Sequence, residues 1–504
     1  MNKKNIINSK AAIRLWALSV ALLLGISACT DEDEPIIIPE EEEEVLVTDE
    51  SGVTLTNTKD IVLGESGEDQ VFEMTSTILT TSGRVEETTL NCCAMGAIAL
   101  NHDGDMAKMD TARKVRNVTL VNRGTITIHT KALVERYKDL IQTPDAPDRP
   151  YTYLRLLAIY AGENSTVINE GVINVYFDHD PSVTSTIYVM GMIAGENSSI
   201  INNGEIHFYG TGSIATRMRG MATFGNNISA FNNGLMTAEV DICEDSRLIT
   251  TGGTKSNVIN DGIMQMRLPG YVLCMTRYGD TNLINNNVID LTLVDLPEGY
   301  TPVGNGAYPL ICAMYEPLSG SRSQMPSLVN RGTIRVAIEG TERTNPASQG
   351  YGMYCDLMGA GCEDLQVNVI NDGSISVSQS GPYRFSMAEA GFITRPNFTG
   401  EACNITLGRW TTTLRDFSQT RDLFLARGIN MDFGGGRLSL TKGEDYVDGT
   451  PYSVAPEALI YDAGQGAFRY EYSGYRGLEI SVADGTAAQL TWDKENQTAS
   501  LSEE

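Results

Sequence analysis

The chain has few basic side chains. Its 504 residues include 37 Lys and Arg against 64 Asp and Glu, which gives a formal net charge of −27. Proteins that bind nucleic acids present a basic surface to the phosphates. The charge balance therefore argues against nucleic acid as a partner, and it disfavours direct binding to an anionic membrane surface for the same reason.

Histidine and metal-binding cysteine motifs are also scarce. The chain has only four histidines and no paired Cys-x-x-Cys motifs, so a zinc site is not expected. The segment Asn101–Asp105 has the outline of a calcium loop but lacks the later Glu of an EF-hand, and it is interpreted as a turn. Glycines 434–436 are not followed by the Lys-Ser/Thr of a phosphate loop. The sequence predicts no metal and no cofactor.

Glycine and apolar residues are plentiful by comparison. Apolar residues make up 41 % of the chain and there are 49 glycines, which together is a normal globular composition. The length allows about three ordinary domains or one large repetitive one. The chain is therefore able to bury a substantial core.

The N-terminus has the features of an export signal. A basic lead is followed by the apolar run Leu15–Ile26, which is too short to span a bilayer comfortably. The run ends in Ile26-Ser27-Ala28-Cys29, which resembles the lipobox of bacterial lipoproteins. That resemblance implies that residues 1–29 are a signal peptide, that Cys29 becomes the first mature residue, and that its acyl chains (palmitate among them) anchor the protein to the outer membrane.

Residues 30–50 carry eleven acidic side chains and no Lys or Arg, which predicts an extended, disordered tether. Asp31, Glu32, Asp33 and Glu34 directly follow the lipobox cysteine and resemble the surface-export signal of Bacteroidales-type lipoproteins. The resemblance implies a protein that faces the cell exterior. A solvated spacer that faces the periplasm is the alternative.

One short motif recurs along the chain: an apolar residue, one position, Asn, any residue, Gly, any residue and a further apolar residue. Alternating apolar residues after each Asn-x-Gly indicate a β-strand. A second apolar segment upstream of most copies ends in a glycine-containing turn. The motif asparagines are Asn122, Asn169, Asn202, Asn232, Asn260, Asn285, Asn330 and Asn371.

Repeated short strands of this kind predict an all-β fold, a right-handed parallel β-helix or solenoid, because stacked coils satisfy each other's backbone groups. The motif asparagines are expected to form a ladder of side-chain hydrogen bonds at the strand spacing of about 4.8 Å. The glycine after each Asn should take a corner conformation that excludes a side chain. Asn287 replaces glycine in the sixth copy, where a positive φ is expected.

The repeats resemble those of haemagglutinin-like bacterial adhesins and other secreted parallel β-helix proteins, over residues 91–410. The ends need β caps because an open coil exposes unpaired strand groups. Residues 51–90 are assigned to the N-terminal cap, and residues 411–504 to a C-terminal cap or small β domain. Lys131–Gln142 has helical spacing and predicts a helix inserted in one coil.

Eight cysteines remain beyond Cys29. Cys274, Cys312 and Cys355 each lie upstream of an Asn motif beside methionines, which favours a buried stacked column of small apolar residues. Export permits disulfides, and Cys355–Cys362 is the pair to test first.

A polar cluster on successive repeat units is the best place to look for chemistry. It comprises Arg217, Arg219, Asp245, Arg247 and Arg277, with Arg267 and Asp280 nearby. A glycoside hydrolase would need paired carboxylates, and a lyase would need a basic residue. Solvated side chains on the outer face are the simpler interpretation, and no catalytic residue is assigned.

These features favour a non-enzymatic surface protein, adhesin-like or glycan-binding, with a glycan or another cell surface as its ligand. Inserts at 131–153, 294–326 and 340–365 would be contact loops. The alternatives are a β-helix polysaccharide lyase or glycoside hydrolase, and a structural envelope component. A binding module should expose aromatic side chains, with Tyr151, Tyr153, Tyr271, Tyr278 and Tyr315 as the expected ones.

Overall fold

The computed structural model describes residues 46–414, with gaps at loops (64–69, 81–82, 102–105, 142–152, 181–186, 254, 279–280, 300–309, 318–326, 342, 345–347, 358–367, 381–385 and 395–403), and isolated strands beyond residue 414. The signal peptide with Cys29, the tether as far as residue 45, Tyr151, Asp280, Cys362 and most of Asn101–Asp105 lie outside the described residues.

The described chain is almost entirely β. Its N-terminal half contains β1 (Val47–Thr48), β2 (Thr54–Asn57), β3 (Asp60–Leu63), β4 (Gln70–Thr80), β5 (Gly83–Ala97), β6 (Leu100–Asn101), β7 (Lys108–Met109), β8 (Thr119–Asn122), β9 (Thr125–His129), α1 (Thr130–Tyr137), β10 (Tyr153–Ala161), β11 (Thr166–Asn169), β12 (Val172–Phe177), β13 (Ile187–Ala194), β14 (Ser199–Asn202), β15 (Glu205–Phe224), β16 (Ser229–Asn232), β17 (Leu235–Gly252), β18 (Ser256–Asn260) and β19 (Ile263–Leu268).

The remaining strands are β20 (Val272–Tyr278), β21 (Thr281–Asn285), β22 (Val288–Leu293), β23 (Leu310–Pro317), β24 (Ser327–Asn330), β25 (Thr333–Glu339), β26 (Gln349–Leu357), β27 (Asn368–Ser380), β28 (Ser386–Thr394), β29 (Asn404–Leu414), β30 (Asn430–Asp432), β31 (Arg437–Lys442), β32 (Tyr452–Ser453), β33 (Ile460–Asp462), β34 (Ala467–Arg469), β35 (Glu479–Val482), β36 (Ala488–Asp493) and β37 (Thr498–Glu503).

The strands stack in three parallel columns. The first column runs through β5, β10, β13, the ends of β15 and β17, β20, β23, β26 and β28. The second runs through β2, β8, β11, β14, β16, β18, β21, β24, β27 and β29. The third runs from β3 and β9 through β12, the starts of β15 and β17, β19, β22 and β25 to β27. Long parallel columns of this kind are compatible with a β-solenoid.

Alternation along each strand sends one set of side chains into a common core. In the third column the inward row contains Ile126, Ile173, Ile206, Met236 and Met264, which occupy matching positions on successive strands and are fully buried. Each such side chain stabilises the fold by about 1.5–3 kcal/mol through burial. The repeated apolar positions of the sequence are thus the layers of this core.

The first coil begins earlier than the assigned boundary at residue 91. Strands β2 and β3 pair in parallel with β8 and β9, so part of the segment assigned to the N-terminal cap forms the first rung of two columns. Strands β4 and β5 form an antiparallel hairpin beside that rung. Near the C-terminus, β32, β36 and β37 form an antiparallel sheet, and β33 pairs with β34.

Helix α1 covers Thr130–Tyr137, which is shorter than the expected Lys131–Gln142. Its Leu133 and Val134 are buried in the main core, with Tyr137 and Leu140 packed against it. Within the described parts of the chain, no helix is both long enough and apolar enough to cross a membrane.

The motif glycines avoid a clash between backbones, and a positive φ is not the reason for them. A Cβ on Gly204 would lie 2.0 Å from the carbonyl oxygen of Gly171 on the preceding coil. The expected positive φ at Asn287 is wrong, because the non-glycine residues with positive φ are Asn117, Asn164, Asn197, Asn227 and Lys255, in the other turns. At Asn287 one hydrogen bond to the preceding coil is instead longer: Val288 N donates to Gly262 O at 3.4 Å, against 2.9 Å for Glu205 N to Gly171 O.

The cysteines do not form the expected column. Cys274 and Cys312 are buried, but the strand register sets Cys312 opposite Leu273 and Tyr351, and Cys355 opposite Glu316. Methionines form the column instead, with Met275, Met314 and Met353 in register. Cys274 is one residue beyond the position that pairs with Cys312, and a shift of one residue changes the face of a strand, whereas Cys355 is four residues beyond the position that pairs with Cys312. The Cys355–Cys362 pair lies outside the described side chains.

Candidate functional site

The motif asparagines form a continuous hydrogen-bonded ladder in the second column. Each Nδ2 donates to the Oδ1 of the next coil, from Asn57 through Asn122, Asn169, Asn202, Asn232, Asn260 and Asn285 to Asn330, at 2.7–2.8 Å. All eight side chains are fully buried. Asn371 is in register with Asn330, and its side chain is not described. Asn57 also belongs to the ladder, although its coil lacks the motif glycine and has Lys59 in that position.

The polar cluster noted in the sequence divides into three separate environments. Arg219, Asp245 and Arg247 come together: Arg219 Nη2 lies 2.6 Å from Asp245 Oδ2, and Arg247 Nε lies 2.9 Å from Asp245 Oδ1. The three residues are only 4–6 % exposed. The expectation that they are solvated is therefore wrong. The register sets Arg219 opposite Arg247, and the carboxylate between them offsets the repulsion of the two guanidinium groups.

Asp245 is held ionised by these two arginines. Burial alone would raise its pKa, but the charges of Arg219 and Arg247 and their hydrogen bonds lower the pKa to about 2. The carboxyl of Glu244 behaves in the opposite way. Burial and the charge of Asp245 raise its pKa to about 7 although Arg217 opposes the shift, and its Oε1 is buried with no hydrogen-bond partner among the described residues.

Arg277 is separate from this cluster. It is fully buried and forms an ion pair with the equally buried Glu316 on the neighbouring strand. Its guanidinium also donates to the carbonyl of Thr281. Arg267, by contrast, is exposed and pairs with Glu339 at 2.8 Å. Neither residue joins the Arg219–Asp245–Arg247 triad.

Arg217 lines a cavity of about 880 Å³ on the outer face of the first column. Its guanidinium carbon lies 4.9 Å from the ring centre of Tyr153 and 5.9 Å from that of Tyr188. Arg155 and Arg219 also approach the Tyr188 ring, at 5.8 Å and 5.4 Å. The register explains this cluster, because Arg155, Tyr188 and Arg217 occupy matching positions on β10, β13 and β15.

An exposed row of side chains runs along the outer face of the third column, one residue per strand. We call it the outer row, and it consists of His129, Tyr176, Tyr209, Glu239, Arg267, Thr292 and Ala337. His129 stacks on Tyr176 with ring centres 4.9 Å apart, and Tyr176 stacks on Tyr209 at 5.3 Å. All of these side chains are at least partly exposed.

Carboxylates beside the outer row are tied to cations or donors. His129 Nδ1 lies 2.9 Å from Asp178 Oδ2, and Asp178 Oδ1 accepts the backbone N–H of Lys131 at the start of helix α1. Burial opposes ionisation of Asp178, but these hydrogen bonds and the His129 charge lower its pKa. Arg335 lies 3.4 Å from Asp290 on the adjacent row. The surface is therefore polar and aromatic, and Asp178 and Asp290 are both bonded to partners there.

The tyrosines that the sequence analysis predicted to be exposed lie in different environments. Tyr153 lines the cavity and Tyr271 is half-buried. Tyr315 is only 8 % exposed and stacks on Tyr354 at 5.5 Å, so the expectation of an exposed contact residue is wrong there. The side chain of Tyr278 is not described. The sequence did not predict Tyr176, Tyr188 and Tyr209 as site residues. Tyr176 and Tyr209 occupy the same position after two successive Asn-x-Gly motifs, and Tyr188 lies in an upstream strand.

Among the described side chains, no group of three or more His, Cys, Asp or Glu residues is arranged so that it could hold a metal ion.

A family model described as the BigA fourth domain matches residues 60–295. The matched segment runs from β3 to β22 and includes the cavity and the outer row from His129 to Thr292. The chain has no significant match among curated proteins or among solved structures.

Proposed function

We propose that this chain is an adhesin-like bacterial surface protein that binds glycans without cleaving them. Its three columns would form a right-handed parallel β-helix closed by β caps at both ends. Lipid on Cys29 would anchor it to the outer membrane, and the acidic tether would carry it outward. The match to the BigA fourth domain supports a surface-associated, adhesin-like role.

The outer row is the observation that carries the proposal. Its stacked rings of His129, Tyr176 and Tyr209 are partly exposed to solvent. Tyrosine and histidine combine an apolar body with a hydrogen-bonding tip, a combination that suits sugar rings and their hydroxyl groups. The regular spacing repeats these contacts at each strand, so a polymeric glycan that lies along the column would meet several of them together.

The same surface is less suited to acid catalysis. A general acid at neutral pH needs a raised pKa, whereas Asp178 has a lowered one and Asp290 is ion-paired with Arg335. These features favour binding over hydrolysis on this face.

A glycan array probed with the full chain tests the proposal. Tyr176→Ala and Tyr209→Ala should each weaken binding to the glycans that the wild-type protein selects, by about fivefold or more. Arg331→Ala, a change at an exposed residue in the turn between β24 and β25, should leave binding unchanged. Release of reducing or unsaturated ends from bound glycans would overturn the non-enzymatic role.

The lipid anchor and the surface exposure need a separate test. Palmitate labelling in a bacterial host should be present in the wild-type chain and absent in Cys29→Ala. Protease added to whole cells should degrade the anchored protein if the body faces outward. Labelling that persists in Cys29→Ala would overturn the anchor, and complete protease resistance in intact cells would overturn surface exposure.

A further inference from the structure

The cavity beside Arg217 is chemically unlike the outer row. It lies on a different column and is lined largely by apolar side chains. Leu157, Met190 and Ile193 belong to β10 and β13 of the first column, while Met74, Ile98 and Met109 come from the N-terminal hairpin region that packs over them. A volume of about 880 Å³ lies within the usual range of small-molecule sites.

Charged groups at the edge of the cavity are mostly committed to partners. Lys114 and Arg116 pair with Glu163, and Arg113 lies 2.7 Å from Asp49. The Lys114 ammonium holds the pKa of Glu163 below its usual range, so that carboxylate stays ionised and paired. Asp110 Oδ1 accepts the backbone N–H groups of Ala112 and Arg113. Glu196 Oε1 accepts a hydrogen bond from Asn226 Nδ2 at 3.2 Å.

Arg217 differs from these residues. Among the described residues it forms no salt bridge, although it is half-buried between the rings of Tyr153 and Tyr188. The carboxylate opposite it in the register, Asp245, is already bonded to Arg219 and Arg247. A guanidinium held in place by two aromatic rings keeps its donors oriented, and it is well suited to a carboxylate, sulfonate or phosphate group.

We propose that this cavity binds a small amphipathic anion: an apolar body that packs against Leu157, Met190 and Ile193, with one acidic group on Arg217. The apolar lining supplies most of the binding free energy, and Arg217 selects the charged member of otherwise similar molecules. The ligand is a free small molecule, because the cavity encloses a volume of that size and the chain around it is acidic overall, which disfavours an anionic bilayer.

Two fluorescent probes with the same ring system separate the apolar and ionic contributions. 8-Anilinonaphthalene-1-sulfonate carries a sulfonate, and N-phenyl-1-naphthylamine lacks it. The full chain should bind the sulfonate saturably at one site and about tenfold more tightly than the neutral probe. Equal affinity for the two probes, or sulfonate binding that does not saturate, would overturn the proposal.

Variants then assign the effect to the cavity. Arg217→Met keeps the side-chain volume and removes the charge, so it should lower sulfonate affinity about tenfold and leave the neutral probe unaffected. Arg217→Lys should retain part of the preference. Arg123→Met, at an exposed residue outside both the cavity and the outer row, is the matched control and should change neither affinity. Circular dichroism and the thermal midpoint establish that each variant is folded.

A second variant keeps the test sharp if Arg217→Met does not fold. Met190→Trp should fill the cavity and weaken both probes together in a protein with an unchanged spectrum. Anionic phospholipid vesicles should not displace the bound sulfonate. A preference for the sulfonate that survives in Arg217→Met, or displacement by vesicles alone, would overturn the assignment.

Discussion

The side-chain amide of Asn232 donates a hydrogen bond to Asn260 Oδ1 at 2.7 Å, although 28 positions separate the two residues in the chain. Asn202 donates in turn to Asn232 Oδ1 at 2.8 Å. Each buried asparagine is therefore both donor and acceptor for its neighbours. Removal of one member leaves two buried polar groups without their partners.

Asn232→Ala should lower the free energy of unfolding by about 3 kcal/mol, because an unsatisfied buried donor or acceptor costs about 1–3 kcal/mol. Asn233→Ala is the matched control. Asn233 is exposed and bonds Asn203 on the surface, so its loss should cost less than about 0.5 kcal/mol. Urea denaturation followed by circular dichroism measures both. Equal effects of the two changes would contradict a stabilising role of the buried ladder.

Gly204→Ala should destabilise the fold by at least about 2 kcal/mol, since its Cβ would lie 2.0 Å from the Gly171 carbonyl oxygen and the coils would have to separate. Gly252→Ala is the control, because a Cβ there meets only the Thr223 carbonyl oxygen at 3.7 Å. Asn287→Gly should be neutral or stabilising. Thermal midpoints rank the three variants, and a destabilised Asn287→Gly would argue against the backbone-clash explanation.

Asp245→Asn should cost about 3–5 kcal/mol at neutral pH, because it leaves the buried Arg219 and Arg247 without a counter-charge. The folded-state pKa of Asp245, about 2, lies below the ordinary 3.8, so its stabilisation is present above that value and is lost as the pH falls from 3.8 towards 2. Asp290→Asn, in an exposed pair, should cost under about 0.5 kcal/mol. Acid denaturation curves of both variants test this difference.

The raised pKa of Glu244 predicts that the stability of the fold changes with pH in the direction opposite to that for Asp245. Its folded-state pKa of about 7 exceeds the ordinary 4.5, so the folded state favours the protonated carboxyl and stability falls as the pH rises from 4.5 to 7. Partial solvent exposure limits the effect to roughly 1 kcal/mol. Glu244→Gln should remove this slope and raise stability above neutral pH. The thermal midpoints of both proteins should be measured as a function of pH across this range. The same pH dependence in Glu244→Gln as in the wild type would refute the interpretation.

The buried thiols should be chemically silent in the folded protein. Burial raises the pKa of Cys93 to about 12 and raises those of Cys243, Cys274 and Cys312 as well, so little thiolate forms. Iodoacetamide should leave these residues unmodified in the native chain and alkylate them after unfolding in guanidinium chloride. Peptide mapping by mass spectrometry reads each site, and rapid native modification of Cys312 would contradict its burial.

The stacked strands could be predicted from the sequence because the Asn-x-Gly motif and the alternation of apolar residues are periodic. The alternation after each Asn-x-Gly predicted the inward rows, and the asparagine spacing anticipated which side chains meet across coils. The first rung was less visible, because Asn57 is followed by Lys59 where later copies have glycine. The exclusion of a side chain at the motif glycines was predicted correctly, but the group that excludes it, the backbone carbonyl of the preceding coil, cannot be identified from a single repeat.

The polar site depended on information that one sequence does not contain. Arg219 and Arg247 are 4 % and 6 % exposed, and the alternation of residues along their own strands does not reveal this burial. Arg277 and its partner Glu316 are separated in the chain by β21, β22 and the long insert between β22 and β23. When long inserts separate the strands, the strand register cannot be determined from the sequence, and the register determines which charged residues become neighbours.

The asparagine ladder has a direction. Every Nδ2 points towards the next coil, so the amide dipoles align head to tail from Asn57 to Asn330 and polarise one another. The two sides of a coil are therefore unlike. The Oδ1 of Asn57 also accepts the backbone N–H of Lys59 at 3.0 Å, and the side-chain amide of Asn330 also donates to the carbonyl of Ser374 on the next coil at 3.3 Å. A coil added at the start of the stack must offer donors and one added at the end must offer acceptors, which gives growth by duplication of coils a built-in polarity.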